Sequence, residues 1–122
     1  MSVTTHRSGP AGAWSARITR PQGTLTQTFH FTADGQVFMA TGGAGTWTAT
    51  GPGTFAFRLS EPVFDEHGDC VAWVAIDQRA VQHGDEFTSE GRSTVTGSDG
   101  NPLRTVEVAI AARARYSGRG AG

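Results

Sequence analysis

The chain has 122 residues and a formal net charge of -1, from ten basic residues against eleven acidic ones, and all ten basic residues are arginine. That length is one domain with enough chain to bury a core unaided. The near-neutral balance gives no electrostatic hold on nucleic acid or an anionic membrane, so neither is expected as a partner. One cysteine, Cys70, excludes an internal disulfide framework. No apolar run is long enough for a membrane span and no secretory leader is legible, so a cytoplasmic location is expected.

Seventeen glycines, abundant threonine and almost no helical periodicity predict an all-β protein. Residues 1–11 are polar and read as a tail, residues 12–116 as one barrel domain, and residues 117–122 as a second tail. Gly12 to Arg20 alternates, with Trp14, Ala16 and Ile18 on one side. Pro21-Gln22-Gly23 turns, and Thr24 to Thr32 alternates with Leu25, Gln27, Phe29 and Phe31 on one side. Ala33-Asp34-Gly35 marks a hairpin, Gln36 to Thr41 a short strand, and Gly42 to Gly45 a break. Thr46 to Thr50 places Trp47 and Ala49 on the inner side before the turn at Gly51-Pro52-Gly53.

Three long segments follow, Thr54–Asp65, Cys70–Gln82 and Asp85–Thr96, each alternating with period two and closed by a turn signal. Closing the first hairpin between Asp65 and Cys70 sets Glu61 opposite Val74, Leu59 opposite Ile76 and Phe57 opposite Gln78. It also sets Phe64 opposite Val71. Closing the second between Gln82 and Asp85 sets Ala80 opposite Phe87 and Gln78 opposite Ser89. Opposed residues share a face, so one mostly apolar set runs through all three strands. That register puts Trp47, Phe57, Gln78 and Ser89 in one layer. Leu103 to Arg115 supplies a last strand with Val106, Val108, Ile110, Ala112 and Ala114 inward, and Tyr116 continues that parity. About eight strands with short turns predict an antiparallel up-and-down barrel, since closure removes both sheet edges. A two-sheet sandwich is the competing architecture. A barrel of this size is either filled or holds one small ligand.

The run of Gly45-Thr46-Trp47, Phe55-x-Phe57, Asp65-x-x-Gly68, Gly84-Asp85-x-Phe87-Thr88-x-x-Gly91 and Ser98-Asp99-Gly100-Asn101 resembles small bacterial calycin-like barrels. These are similar in plan to the allene oxide cyclase and dirigent barrels. Gly12-Ala13-Trp14 is similar to the first-strand Gly-x-Trp of lipocalins. The resemblance spans Trp14 to Ala114. It implies a barrel that folds a polyketide-like chain in its lumen for a cyclisation, as a cofactor-independent cyclase or isomerase of secondary metabolism. A non-catalytic carrier for a hydrophobic ligand is the alternative, and a structural module with a filled core is a third.

Glu61 is the sharpest candidate for chemistry. It continues the row Phe55, Phe57, Leu59 and precedes Pro62. Inside, a desolvated carboxyl would rise toward neutrality and serve as acid or hydrogen-bond donor; if the strand bends at Pro62, it points to solvent instead. Gln78 either polarises a ligand carbonyl or bonds Ser89 and serves the core. Trp14, Phe29, Trp47, Phe57 and Phe87 stand at inward positions and, with Ser89, are candidates to line a ligand; as alternating aromatics they serve equally as core. His6, His30, His67 and His83 are scattered, so no metal set is expected. No cofactor is implied, because proximity alone lowers the barrier to an intramolecular cyclisation. Outside, Phe64, Val71 and Trp73 form an apolar cluster rimmed by Arg58, Asp77 and Arg79, which predicts a homodimer contact. Cys70 is expected as a small buried or half-buried hydrophobe.

Overall fold

In the computed structural model, which describes residues 9–115, the period-two segments become strands that pair in chain order into one closed antiparallel barrel. The strands are β1 (Gly12–Arg20), β2 (Gly23–Phe31), β3 (Gln36–Met39), β4 (Ala44–Gly51), β5 (Thr54–Phe64), β6 (Cys70–His83), β7 (Glu86–Gly97) and β8 (Pro102–Arg115). The ladder between β1 and β8, from Ala13 opposite Arg115 to Thr19 opposite Ala109, closes the ring and rules out the sandwich. Tyr116 and both outer tails lie outside the described residues. The described end of the first tail is held rather than loose. Pro10 is buried, its carbonyl accepts from Trp14 Nε1 at 2.7 Å, and the Gly9 carbonyl accepts from Gln82 Nε2 at 3.1 Å.

The stagger of the barrel can be followed along one row of opposed residues. From Gly12 the row passes Phe31, Val37, Gly45, Leu59, Ile76, Ser93 and Val106; continued on the β8–β1 register it returns at position 22, ten residues beyond its start. A plane across the axis therefore steps back a little more than one residue per strand relative to that row. One such plane holds Trp14, Phe31, Phe55 and Phe87. Their rings meet edge to face, with centroids 4.8 Å apart for Trp14 and Phe87, 5.5 Å for Phe31 and Phe55, and 5.2 Å for Phe55 and Phe87. Phe29 and Phe57 pack at 5.8 Å in the plane above. This end, where the described chain begins and ends, is filled by aromatic rings.

Outside, the register is reinforced by charge. Arg58 stands directly opposite Asp77, Asp77 opposite Arg92, and Arg92 opposite Glu107, so signs alternate across β5 to β8. Arg92 Nε is 3.3 Å from Glu107 and Arg113 Nη2 3.1 Å from Glu86. Each exposed pair contributes little, but a slip would bring like charges together. A charged exterior around an apolar interior is the reverse of a lipid-facing barrel. Among the described residues no helix is long and apolar enough to cross a membrane.

Two registers differ from the sequence reading. Gln78 stands opposite Gly91, and Ser89 opposite Ala80 and Ile110, a shift of two from the expected β6–β7 pairing. The loop is Gly84-Asp85 between His83 and Glu86, with Gly84 at φ +63° and no non-glycine residue at positive φ. A glycine first in a two-residue loop suits a type II′ turn, whereas placing it second would force His83 to positive φ. In the β5–β6 turn, Asp65 Oδ1 accepts from the N–H groups of His67 and Asp69. That turn draws Asp65 out of the ladder, and a bulge sets Phe64 opposite Cys70 rather than Val71. Cys70 is exposed there, not buried as expected. Phe64, Val71 and Trp73 are exposed, as the parity requires.

Gly45 and Gly91 mark where strands approach too closely for a side chain. A Cβ at Gly91 would overlap the Asp77 carbonyl oxygen, and one at Gly45 the Arg58 carbonyl oxygen. Gly68, by contrast, has open space and only a positive φ of 85°. Gly91→Ala is expected to destabilise by ~3 kcal/mol or more through overpacking, and Gly68→Ala by about 1 kcal/mol through backbone strain. Equal losses in urea denaturation would remove the close-approach argument.

Candidate functional site

The interior divides into two halves by how its polar groups are satisfied. In the filled half, Gln78 is fully buried. Its Oε1 accepts from Ser89 Oγ at 2.6 Å and its Nε2 donates to the Val108 carbonyl at 3.2 Å. Ser89 lies diagonally from Gln78, within reach despite the shifted register, and Gly91 opposite Gln78 leaves the amide room to cross to β8. Gln82 is satisfied likewise by the Gly9 and Gly84 carbonyls. The barrel's own groups thus engage both ends of the Gln78 amide.

The expected ligand-lining aromatics fall in this same half. Trp14, Phe29, Phe57 and Phe87 are buried against one another. Trp47 is half-buried, stands opposite Phe57 and donates from Nε1 to the Thr32 carbonyl at 2.7 Å. Trp47, Phe57 and Gln78 share one row, as expected, but Ser89 belongs to the adjacent one.

The other end is built differently. Its rim is uneven, because β5 to β8 run 11, 14, 12 and 14 residues while β3 has 4. A plane across the axis at the end of β1 meets Arg20, Leu25, Glu61, Val74, Ser93 and Val106, all on inward parity. Leu25, Val74 and Val106 are half-buried and pack on the core beneath. Glu61 keeps inward parity and is half-buried at this mouth, opposite Val74. Gly43 is buried beside it, where a Cβ would lie 3.4 Å from Glu61 Cβ and 3.2 Å from Leu59 Cδ1. Glu61 and Gln78 are therefore not brought together. They sit four residue positions apart in register, on the order of 13 Å along the strands.

Arg20 was not singled out by the sequence reading. It extends the parity of Trp14, Ala16 and Ile18 by one step, so the signal was present at the strand end. Its Nε is buried and makes no hydrogen bond. Among the described residues, Arg20, Gln27, Glu61 and Ser93 have no side-chain hydrogen bond or ion pair. Four inward polar side chains around an apolar wall can hold a compound that is apolar in body and polar at its ends. Elsewhere, the Asp99 carboxyl is held below the usual carboxylate range by the backbone N–H and then the side-chain amide of Asn101, which is turn capping. No three His, Cys, Asp or Glu side chains converge on a metal position among the described residues.

Comparison of the chain with protein-family models, with curated proteins and with solved structures finds no match.

Removing either partner of the buried Gln78–Ser89 pair strands the other. Ser89→Ala and Gln78→Leu are each expected to cost about 1–3 kcal/mol of stability. The double variant should lose clearly less than the sum, measured as a double-mutant cycle by urea denaturation. Simple additivity would show that the pair is not coupled.

Proposed function

We propose that the protein is a small-molecule-binding barrel that takes a partly apolar compound at the mouth bounded by the ends of β1, β2, β5 and β6. One observation carries this reading: the inward polar groups at that mouth are unpartnered, while those of the opposite half are bonded within the barrel. Of these groups Arg20 Nε is buried as well as unpartnered; an unmade buried hydrogen bond costs stability, and a ligand that makes it is bound in return. The aromatic half forms the floor of the cup rather than its wall.

Binding is the step common to the carrier and to the cyclase or isomerase. For the catalytic version, Glu61 is the inward carboxylate at the bound compound, and the cup would hold a polyketide-like chain in a reactive shape. The neutral probe 1-octanol tests the shared step. Added to the full chain, it should shift the methyl resonances of Leu25, Val74 and Val106 while leaving the ring resonances of Phe31, Phe55 and Phe87 in place. Val74→Arg, folded by circular dichroism, should abolish those shifts. Shifts confined to the aromatic half would refute a ligand at this mouth.

We infer further that two copies associate through the exposed cluster of Phe64, Val71 and Trp73. Phe64 is 60% exposed and Trp73 47%, so pairing about a twofold axis would remove a large apolar area from water. Sedimentation should show a dimer for the wild type and a folded monomer for Trp73→Arg. A wild type monomeric at high concentration would end this inference.

A further inference from the structure

We propose that the compound held at this mouth is an anion, a carboxylate whose head is gripped side-on by Arg20. This rests on the reading of the mouth as a ligand cup. Four of the other described arginines make side-chain contacts. Arg58 and Arg92 turn Nε toward Asp77 and Glu107, Arg113 pairs with Glu86, and Arg115 Nη1 donates to Thr28 Oγ1. All of these are on the outer face. Arg20 is on the inner face, and its Nε is the buried side-chain polar atom without a partner among the described residues.

The geometry of the group then selects the ligand chemistry. A guanidinium never gives up its charge, so Arg20 cannot relieve burial by becoming neutral. Nε–H and the Nη–H on the same edge are parallel donors, spaced for the two oxygens of a carboxylate. Nε is shielded from bulk water while the side chain as a whole is only half-buried, so a carboxylate entering the cup meets this edge once the guanidinium turns toward it. Glu61 does not supply the acceptor. It stands on the opposite wall, four strands away around the ring, and makes no ion pair with Arg20.

The remaining groups fix orientation. The apolar body lies against Leu25, Val74 and Val106. Glu61 repels a second anionic group and accepts from a hydroxyl or an ammonium, so the compound's far end carries a donor or is apolar. The mouth is thereby polarised, cationic at β1 and anionic at β5. A neutral lipid-like compound would use the wall but leave Arg20 Nε unpaired. A dianion would be opposed by Glu61.

Octanoate and 1-octanol, equal in chain length, separate the terms. At pH 7 and low salt, with the full chain, octanoate is expected to bind about tenfold or more tightly than 1-octanol, the gain of a charge-assisted bidentate contact. It should also slow exchange of the Arg20 Nε–H proton. Arg20→Leu should remove the difference between octanoate and 1-octanol. Arg20→Lys keeps the charge, loses the fork and should fall between them; this variant decides the matter if Arg20→Leu fails to fold. Glu61→Gln should tighten octanoate. Equal affinity of the two probes for the wild type, or octanoate binding undiminished in Arg20→Lys, would overturn the anion proposal and leave the cup intact. If neither probe moves the Leu25, Val74 and Val106 methyls, the cup itself is refuted.

Discussion

Everything inside this protein follows from closing eight strands with a stagger of ten residues. Closure fixes the cross-section, and the cross-section fixes how much side chain each level can hold. The seam shows how tight the fit is. Along it, Ala16 meets Ala112 and Ile18 meets Ile110, small beside small and medium beside medium. Bulk is then concentrated where it can interlock, in the rings of Trp14, Phe29, Phe31, Phe55, Phe57 and Phe87. Gly45 and Gly91 are the concessions made by the backbone, since both lie where a neighbouring strand leaves no room for a Cβ. A fully packed floor at one end thus leaves the other end, with medium-sized residues and an uneven rim, to differ.

The same closure explains why the polar interior is split. Gln78 and Ser89 are buried, and there an unmade hydrogen bond is costly. They are bonded to each other and to the Val108 carbonyl, and this ties β6, β7 and β8 together through side chains as well as through the ladder. Such a network specifies one packing when fully satisfied. Nothing of the kind holds Arg20, Gln27, Glu61 and Ser93, although Ser93 is as buried as Gln82. The contrast lies within one barrel and one parity, so it reflects position along the axis rather than residue type.

How much of this was legible depends on whether parity or register was needed. Parity survives an error of two residues, because opposed side chains return to the same face. The displaced β6–β7 pairing therefore still put Gln78, Ser89 and Gly91 inside. The inward face of β5 and the outward cluster of Phe64, Val71 and Trp73 were readable for the same reason. Register was not readable where turn chemistry set it. Gly84 fits either place in a two-residue loop, and only its handedness with Asp85 separates them. Asp65 looked like a strand end but is an Asx turn that caps its own loop. The amide partner of Gln78 on β8 was out of reach of the sequence, since it is a backbone carbonyl across two ladders.

The mouth has a sequence signature whose meaning appears only with the barrel closed. Arg20 precedes Pro21 and Glu61 precedes Pro62, on opposite walls. A residue before proline is pushed away from helical geometry and toward extended backbone. Arg20 is the last residue of β1, where the chain would otherwise be free to curl, and there the restriction carries the alternation one position further; Glu61 lies three residues inside the end of β5, where the ladder holds it as well. Both charged side chains therefore keep inward parity at the point where solvation would favour turning them out. The pull toward water is met by a local backbone restriction that either proline supplies without any tertiary contact. β1 ends in its charge, and Pro21 holds that charge over the opening; β5 runs on through Pro62 to Phe64, so there the ladder with β6 adds its hold on Glu61.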